Sequence, residues 1–133
     1  MNAPRCTPFE PAQRYKWTTL RSLRFDGEEL VVEVQGQNFE YARITFSDIV
    51  GFRVLDERDL LEFWNTYSKP NGWLYEVHEG GWFELESNRP QFNCIDYGPR
   101  LREFFLVDNK CISVLTMELP VVEDLGWDPL AKK

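Results

Sequence analysis

Histidine is nearly absent from this chain of 133 residues, in which His78 is the only one. A single imidazole excludes every metal site that requires two or more histidines. A cysteine–histidine catalytic pair would need His78 beside Cys94 or Cys111, and no local motif indicates that arrangement. We therefore predict that His78 is a strand residue with its ring at the surface, and we predict no metal ion and no cofactor.

Cysteine is scarce as well, with Cys6, Cys94 and Cys111 widely spaced along the chain. Their odd number and the lack of a Cys-x-x-Cys pair do not fit a disulfide framework, so the sequence predicts buried, reduced thiols. Residues 1–13 contain no apolar segment typical of a secretory signal, and no apolar run approaches the length of a membrane span. These features predict a cytoplasmic protein that does not bind membranes.

Glycine-rich phosphate-binding motifs are also missing. The pair Gly80–Gly81 is too short for a dinucleotide or nucleotide-triphosphate fingerprint and is typical of a hairpin turn. No motif in the sequence supports an enzyme active site. Glu76, Glu84 and Glu86 would support one only if they converged in a cleft and at least one of them had a raised pKa.

The charge is strongly negative, at −7 overall. Residues 1–26 hold five basic and two acidic side chains, and the rest of the chain holds ten basic and twenty acidic side chains. Such a chain lacks the clustered basic residues that unaided nucleic-acid binding requires, and it would be repelled by an anionic membrane. The charge suits a basic protein partner, and it equally suits a protein whose acidity only maintains solubility.

Alternating apolar residues dominate the chain after a proline-rich start. We expect an N-terminal arm without regular structure over residues 1–13, followed by a single α+β domain over residues 14–133. The alternation predicts six or seven strands that form successive hairpins in a mainly antiparallel sheet. Pro120 is expected to end the last strand, and a loop or a short turn is expected from there to Lys133. The candidate strands are 30–34, 39–46, 50–55, 73–78, 82–87, 101–107 and 111–117, and residues 15–25 are a weaker candidate for a first strand.

One helix is predicted over residues 56–67. Leu60, Leu61 and Trp64 share one side of it, acidic residues stand in its first turn, and Lys69–Gly72 ends it. We expect this helix to cover one face of the sheet, while the hairpin of 101–107 and 111–117 lies centrally because it is apolar on both faces.

Two groups of acidic residues, one of them flanked by aromatic side chains, are the candidate partner-binding surface. Carboxylates attract a cationic partner, and buried aromatic anchors slow its dissociation. Ordinary explanations compete, because solvated strand faces and the first turns of helices are often acidic, and most aromatic residues belong to cores. The candidate residues are Asp56, Glu57, Asp59, Glu62, Trp73, Tyr75, Glu76, Trp82, Glu84 and Glu86.

The C-terminal half resembles small bacterial immunity proteins, which accompany secreted polymorphic or contact-dependent toxins. The resemblance covers about residues 73–120 and is carried by the segments WLYEVHEGGW (73–82), REFFLVDNKCISVL (102–115) and ELP (118–120). It implies a non-enzymatic, cytoplasmic inhibitor, an antitoxin that binds a cognate toxin domain, often a basic nuclease. No toxin-binding residue is carried over by motif, so the surface residues named above remain a prediction from charge and side-chain size.

Two other hypotheses stay open beside the inhibitor and the enzyme. A sheet and a helix could enclose an apolar cavity that binds a small ligand. An exposed sheet edge could pair two copies of the chain, although the sequence does not indicate an oligomeric state.

Overall fold

The computed structural model describes residues 3–13, 15, 18–36, 39–60, 63, 72–91 and 100–127. These residues form nine strands and a short helix, α1, together with two 3-10 turns at Glu10–Ala12 and Glu57–Asp59. The elements are β1 (Arg5–Pro8), β2 (Thr18–Phe25), β3 (Leu30–Gly36), β4 (Glu40–Phe46), β5 (Ile49–Asp56), β6 (Leu74–Glu79), α1 (Trp82–Ser87), β7 (Arg102–Leu106), β8 (Lys110–Thr116) and β9 (Val121–Trp127).

The strands form two sheets in which every pair of neighbours is antiparallel. One sheet has five strands in the order β1-β6-β7-β8-β5, and the other has four in the order β2-β3-β4-β9. The predicted α+β class with a mainly antiparallel sheet is confirmed. The strand count differs from six or seven because β1 and β9 join the sheets as edge strands.

A single apolar layer lies between the two sheets. From the four-stranded sheet, β3 contributes Leu30, Val32 and Val34, and β4 contributes residues of the same face, because side chains alternate along a strand. Leu74, Phe104, Ile112 and other residues of the five-stranded sheet meet them in one continuous cluster. Residues from both sheets therefore form the core.

The β7–β8 hairpin is buried on both faces, as its composition predicted. Phe104 faces the other sheet, whereas Phe105 faces outward and stacks on Phe63 with ring centroids 4.3 Å apart. Leu60 and Phe63 belong to a second apolar cluster that covers this outer face. Cys6 and Cys111 lie in the same cluster as free thiols, which agrees with the prediction of buried, reduced cysteines; Cys94 lies outside the described residues.

The predicted helix over residues 56–67 is described only in part. Asp56 ends β5, where it pairs with Lys110, so the chain turns into a 3-10 helix at Glu57 instead of starting a helix at Asp56. Residues 61–62 and 64–67 are not among those described. Leu60 and Phe63 do cover one face of the sheet, which is the position expected for this segment.

Three local predictions are wrong. Residues 1–13 are not devoid of regular structure, because Arg5–Pro8 pairs with β6 as strand β1. The chain after Pro120 is not a loop, because Val121–Trp127 pairs with β4. The hairpin of 73–78 and 82–87 that the Gly80–Gly81 turn suggested does not form, because Trp82–Ser87 is a helix and not a strand. In the first two cases the pairing partner is distant in sequence, and no local pattern announces it.

Candidate functional site

Helix α1 begins at a cap that comes from a distant strand. The N-cap residue of this helix, Gly81, has no side chain to accept a hydrogen bond. Glu103 of β7 does so instead: its Oε2 accepts from the Trp82 N–H at 2.8 Å, and its Oε1 accepts from the Phe83 N–H at 2.9 Å. Glu103 is only 5 % exposed, so both oxygens find protein donors where water is scarce.

Gly81 is required by this close approach. A Cβ atom at residue 81 would lie 2.5 Å from Oε2 of Glu103 and 2.7 Å from Cγ1 of Val77. Gly80 adopts a left-handed conformation at φ 76°, which redirects the chain from β6 into α1. The Gly80–Gly81 pair therefore forms a strand-to-helix turn, and the hairpin turn that the sequence suggested is absent.

Trp82 anchors α1 on the outer face of the five-stranded sheet. The guanidinium of Arg53 lies 5.3 Å from the centre of the Trp82 ring, within the range of a cation–π contact. The indole Nε1 donates to Oε1 of Glu86 at 3.2 Å, one helical turn further on. The ring lies beside Gly51 of β5, where a Cβ atom would meet it at 3.6 Å, an ordinary van der Waals contact.

A cavity of about 280 Å³ lies between α1, the end of β6 and the start of β7. Its lining is mixed, whereas the alternative hypothesis of a ligand cavity between sheet and helix expected an apolar one. The residues that line the cavity are Val77, His78, Glu79, Gly81, Phe83, Glu84, Ser87, Leu101, Arg102 and Glu103.

Charges in this cavity interact. Burial raises the pKa of Glu103, and the negative charge of Glu84 raises it further. The two backbone N–H donors and the guanidinium of Arg53 act in the opposite direction. Glu84 accepts from the Gly80 N–H at 2.8 Å. Glu84 and Glu103 thus share the wall of one small cavity with a third carboxylate, Glu79, which pairs with Arg5.

The ion pairs at its rim fix the neighbouring side chains. Arg102 donates to Glu76 at 2.8 Å, and Arg5 donates to Glu79 at 2.9 Å. Oγ1 of Thr7 and Nε2 of His78 lie 2.8 Å apart. His78 is exposed on β6, as predicted.

The predicted partner-binding residues do not form one surface. Trp73 and Tyr75 are 2 % and 1 % exposed, so both are core residues and are not available as anchors. The Trp73 Nε1 donates to the backbone oxygens of Ala12 and Tyr15 at 2.9 and 3.0 Å, which ties the N-terminal segment to the core.

Glu76, Glu84 and Glu86, which would have had to converge in a cleft to support an enzyme, lie on different elements. Glu76 is on β6 and pairs with Arg102, whereas Glu84 and Glu86 are on α1. Glu86 pairs with Arg89 at 2.7 Å, and hydrogen bonds from Arg89 and Trp82 lower its pKa. Of the three, only Glu84 reaches the cavity, and the buried carboxylate that it meets there is Glu103.

In the other acidic group, at the end of β5, Asp56 has two basic partners. Asp56 accepts from the Arg58 side chain at 3.0 Å and from Lys110 at 3.2 Å, and these contacts hold its pKa well below the usual range. Glu57 is half-buried and Asp59 is exposed beside it. Glu62 lies outside the described residues.

Sequence reasoning missed Glu103 and a second feature, the acidic end. We use this name for three neighbouring segments that connect strands: residues 25–29 from the end of β2 to β3, 47–48 between β4 and β5, and 117–119 between β8 and β9. Glu103 could have been found as the one charge in the run Glu103–Val107, which is otherwise apolar. The acidic end gave no such signal, because its carboxylates are far apart in sequence.

The fold and site thus define an α+β protein with two antiparallel sheets and a short helix capped by a buried glutamate. Comparison with known protein families, curated proteins and solved structures finds no match to this chain. Among the residues described, no three histidine, cysteine or acidic side chains form a group that could hold a metal ion. Within the same residues, no helix is long and apolar enough to cross a membrane.

Proposed function

We propose that this chain is a cytoplasmic, non-enzymatic inhibitor of the immunity type, which binds and neutralises a cognate basic toxin domain. The observation that carries the proposal is the acidic end, where exposed apolar side chains stand among exposed carboxylates. The resemblance of residues 73–120 to immunity proteins points to the same class of function.

Hydrogen bonds hold the three segments of the acidic end together. Ser47 Oγ donates to Oε2 of Glu29 at 3.1 Å. Thr116 Oγ1 donates to the Ser47 backbone oxygen at 2.6 Å, and the Met117 N–H donates to the Asp48 oxygen at 3.0 Å. Segments from both sheets therefore present one connected surface.

Charge and apolar area coincide on this surface. Phe25 and Leu119 are 44 % and 52 % exposed, and Val121 follows at 57 %. Residues 25–29, 47–48 and 117–119 contain no basic residue, and Arg24 precedes the first of these segments. The exposed carboxylates in the same segments are Asp26, Glu28, Glu29, Asp48 and Glu118.

This combination suits a basic protein surface. A nuclease must attract phosphate, so the rim of its active site is commonly basic. The carboxylates would accelerate encounter with that rim, and the apolar side chains would slow dissociation. The acidic surfaces predicted from sequence are less suitable, because Asp56, Glu76 and Glu86 already have basic partners within the chain.

The test of function is to express the chain with the toxin-like protein encoded beside it and to measure growth and complex formation. We expect rescue of growth and a one-to-one complex of the purified proteins. If the wild-type chain neither binds nor neutralises that protein, the proposed function is wrong.

The test of the surface compares two double variants that change the net charge equally. We expect Glu28→Lys with Glu118→Lys to slow association about tenfold at low salt, with a smaller effect at high salt. Glu57→Lys with Asp59→Lys is the matched control and should change association little. A larger effect from the control pair would place the interface at the end of β5.

A further inference from the structure

We propose that the cavity between α1 and the five-stranded sheet binds the guanidinium group of an arginine side chain presented by a protein partner. This inference rests on the proposed function for the nature of the partner. The preference of the cavity for a guanidinium can be measured without that partner.

The size of the cavity suits one side chain. Its volume of about 280 Å³ lies just below the range of about 300–1,000 Å³ that is typical of small-molecule pockets. A single long side chain or a fragment of similar size fits such a space, whereas a dinucleotide or a lipid does not.

The charges of the cavity favour a cation. Glu84 and Glu103 both line it, and their negative charges repel each other. A cation between them would relieve this repulsion and supply charge-assisted hydrogen bonds in a partly desolvated site. Arg102, a basic residue of the lining, donates to Glu76 at 2.8 Å, and Arg53 lies over the Trp82 ring and is not part of the lining.

The other walls suit the rest of an arginine side chain. Val77 and Leu101 offer apolar surface to its methylene groups. Phe83 lines the cavity together with the two carboxylates, and a planar guanidinium can stack on an aromatic ring while it bonds to a carboxylate. The compact, strongly hydrated ammonium of lysine makes poorer use of such a wall.

Other ligand classes fit less well. An anion would be repelled by the carboxylates of Glu84 and Glu103. An apolar ligand would displace water from Glu84 and Ser87 and could not replace the hydrogen bonds that water makes to them. Loss of hydrogen bonds is costly for buried polar groups.

The experiment titrates the full chain, labelled with ¹⁵N, with N-acetyl-L-arginine amide and follows the backbone amides of residues 80–84 by NMR. We expect saturable shifts at these amides. N-acetyl-L-citrulline amide has nearly the same shape but no charge, and it should cause no saturable shift. Equal binding of the citrulline compound, or shifts elsewhere only, would overturn the proposal.

Variants locate the site. Glu84→Gln keeps an acceptor for the Gly80 N–H but removes the charge, so it should weaken binding about tenfold, as expected for loss of one charge-assisted hydrogen bond. Glu86→Gln lies on the same helix, outside the cavity lining, and should leave binding unchanged. Ser87→Leu fills the cavity without a change in charge and should abolish binding. Equal effects of Glu84→Gln and Glu86→Gln would contradict the assignment.

Two further outcomes separate the sources of the guanidinium and the two proposals. Agmatine binding in the absence of any binding by the capped arginine would overturn the assignment to a protein side chain. Arginine binding without toxin neutralisation would sink the proposed function and leave the cavity assignment standing. The chain could instead neutralise the toxin equally well with and without Glu84→Gln and Ser87→Leu, and fail to bind capped arginine. That result would overturn the cavity assignment and leave the proposed function standing.

Discussion

At the scale of single residues, Glu103 and Gly81 depend on each other. The carboxylate of Glu103 caps α1 only because residue 81 lacks a side chain, and α1 forms the wall of the cavity that Glu103 lines. A buried acidic residue normally costs stability, and here two N–H donors offset part of that cost. The pair therefore determines the position of the helix.

Gly81→Ala tests this dependence. Its φ of −107° is accessible to alanine, so the penalty comes from the contact with Glu103 and Val77 and not from backbone strain. We expect a loss of about 1–3 kcal/mol in the free energy of unfolding, measured by chemical denaturation. Gly51→Ala is the matched control, because a Cβ there would make ordinary contact with Trp82. An equal loss in both variants would contradict the steric argument.

The raised pKa of Glu103 predicts a pH dependence. The ordinary pKa of this carboxyl is 4.5, and its pKa in the folded chain is higher. At pH values between the two, the folded chain binds the proton more tightly than the unfolded chain does. The contribution of Glu103 to stability therefore falls as the pH rises through this window, with a slope of at most about 1.4 kcal/mol per pH unit. Glu103→Gln should remove this decrease from the free energy of unfolding, measured by denaturation from pH 4.5 to 7.5. The same pH dependence in the variant and the wild-type chain would contradict the prediction.

At the scale of elements, the five-stranded sheet needs cover on its outer face. Phe105, Cys111 and Tyr75 point away from the other sheet and are still buried, because Leu60 and Phe63 pack over that face. The central hairpin is apolar on both faces for this reason.

Phe63→Ala measures the contribution of this cover. Phe63 is 3 % exposed and stacks on Phe105, so the substitution should lower the free energy of unfolding by about 3–5 kcal/mol. Phe39→Ala removes the same side chain from a position that is 47 % exposed, and it should cost less than about 1 kcal/mol. Thermal or chemical denaturation compares the two variants. Similar losses would mean that Phe63 does not cover the sheet.

At the scale of the whole molecule, a buried polar contact joins the sheets where the apolar layer ends. Asp108, in the turn between β7 and β8, accepts from the Leu20 N–H of β2 at 2.7 Å and is 7 % exposed. The bond falls where the register of β2 shifts, between Leu20 and Ser22, so Asp108 provides an acceptor where the β2–β3 pairing is irregular.

Asp108→Ala should therefore destabilise the association of the sheets. It leaves a partly buried N–H without this acceptor, and we expect a loss of about 1–3 kcal/mol with faster hydrogen exchange in β2. Asp124→Ala removes a similar bond, to the Gly126 N–H at 2.9 Å, within one exposed segment, and it should cost less. The opposite ranking in denaturation would show that the contact between sheets is not important.

Features that depend on neighbouring residues could be predicted from the amino-acid sequence. Strict alternation in Leu30–Val34 and in residues 39–46 predicted paired strands, and the apolar run Phe104–Val107 predicted a central hairpin. These predictions succeeded because a strand exposes successive side chains to opposite faces, and this period is visible in a few residues.

The other features depend on contacts between residues that are distant in the sequence. Trp82–Ser87 alternates like a strand over six residues, which is too short to separate the two periods, and the cap from Glu103 makes it a helix. The partners of β1 and β9 lie far away in sequence, so no local pattern could identify them. The acidic end and the cavity arise in the same way, because folding brings together charges that the chain keeps apart.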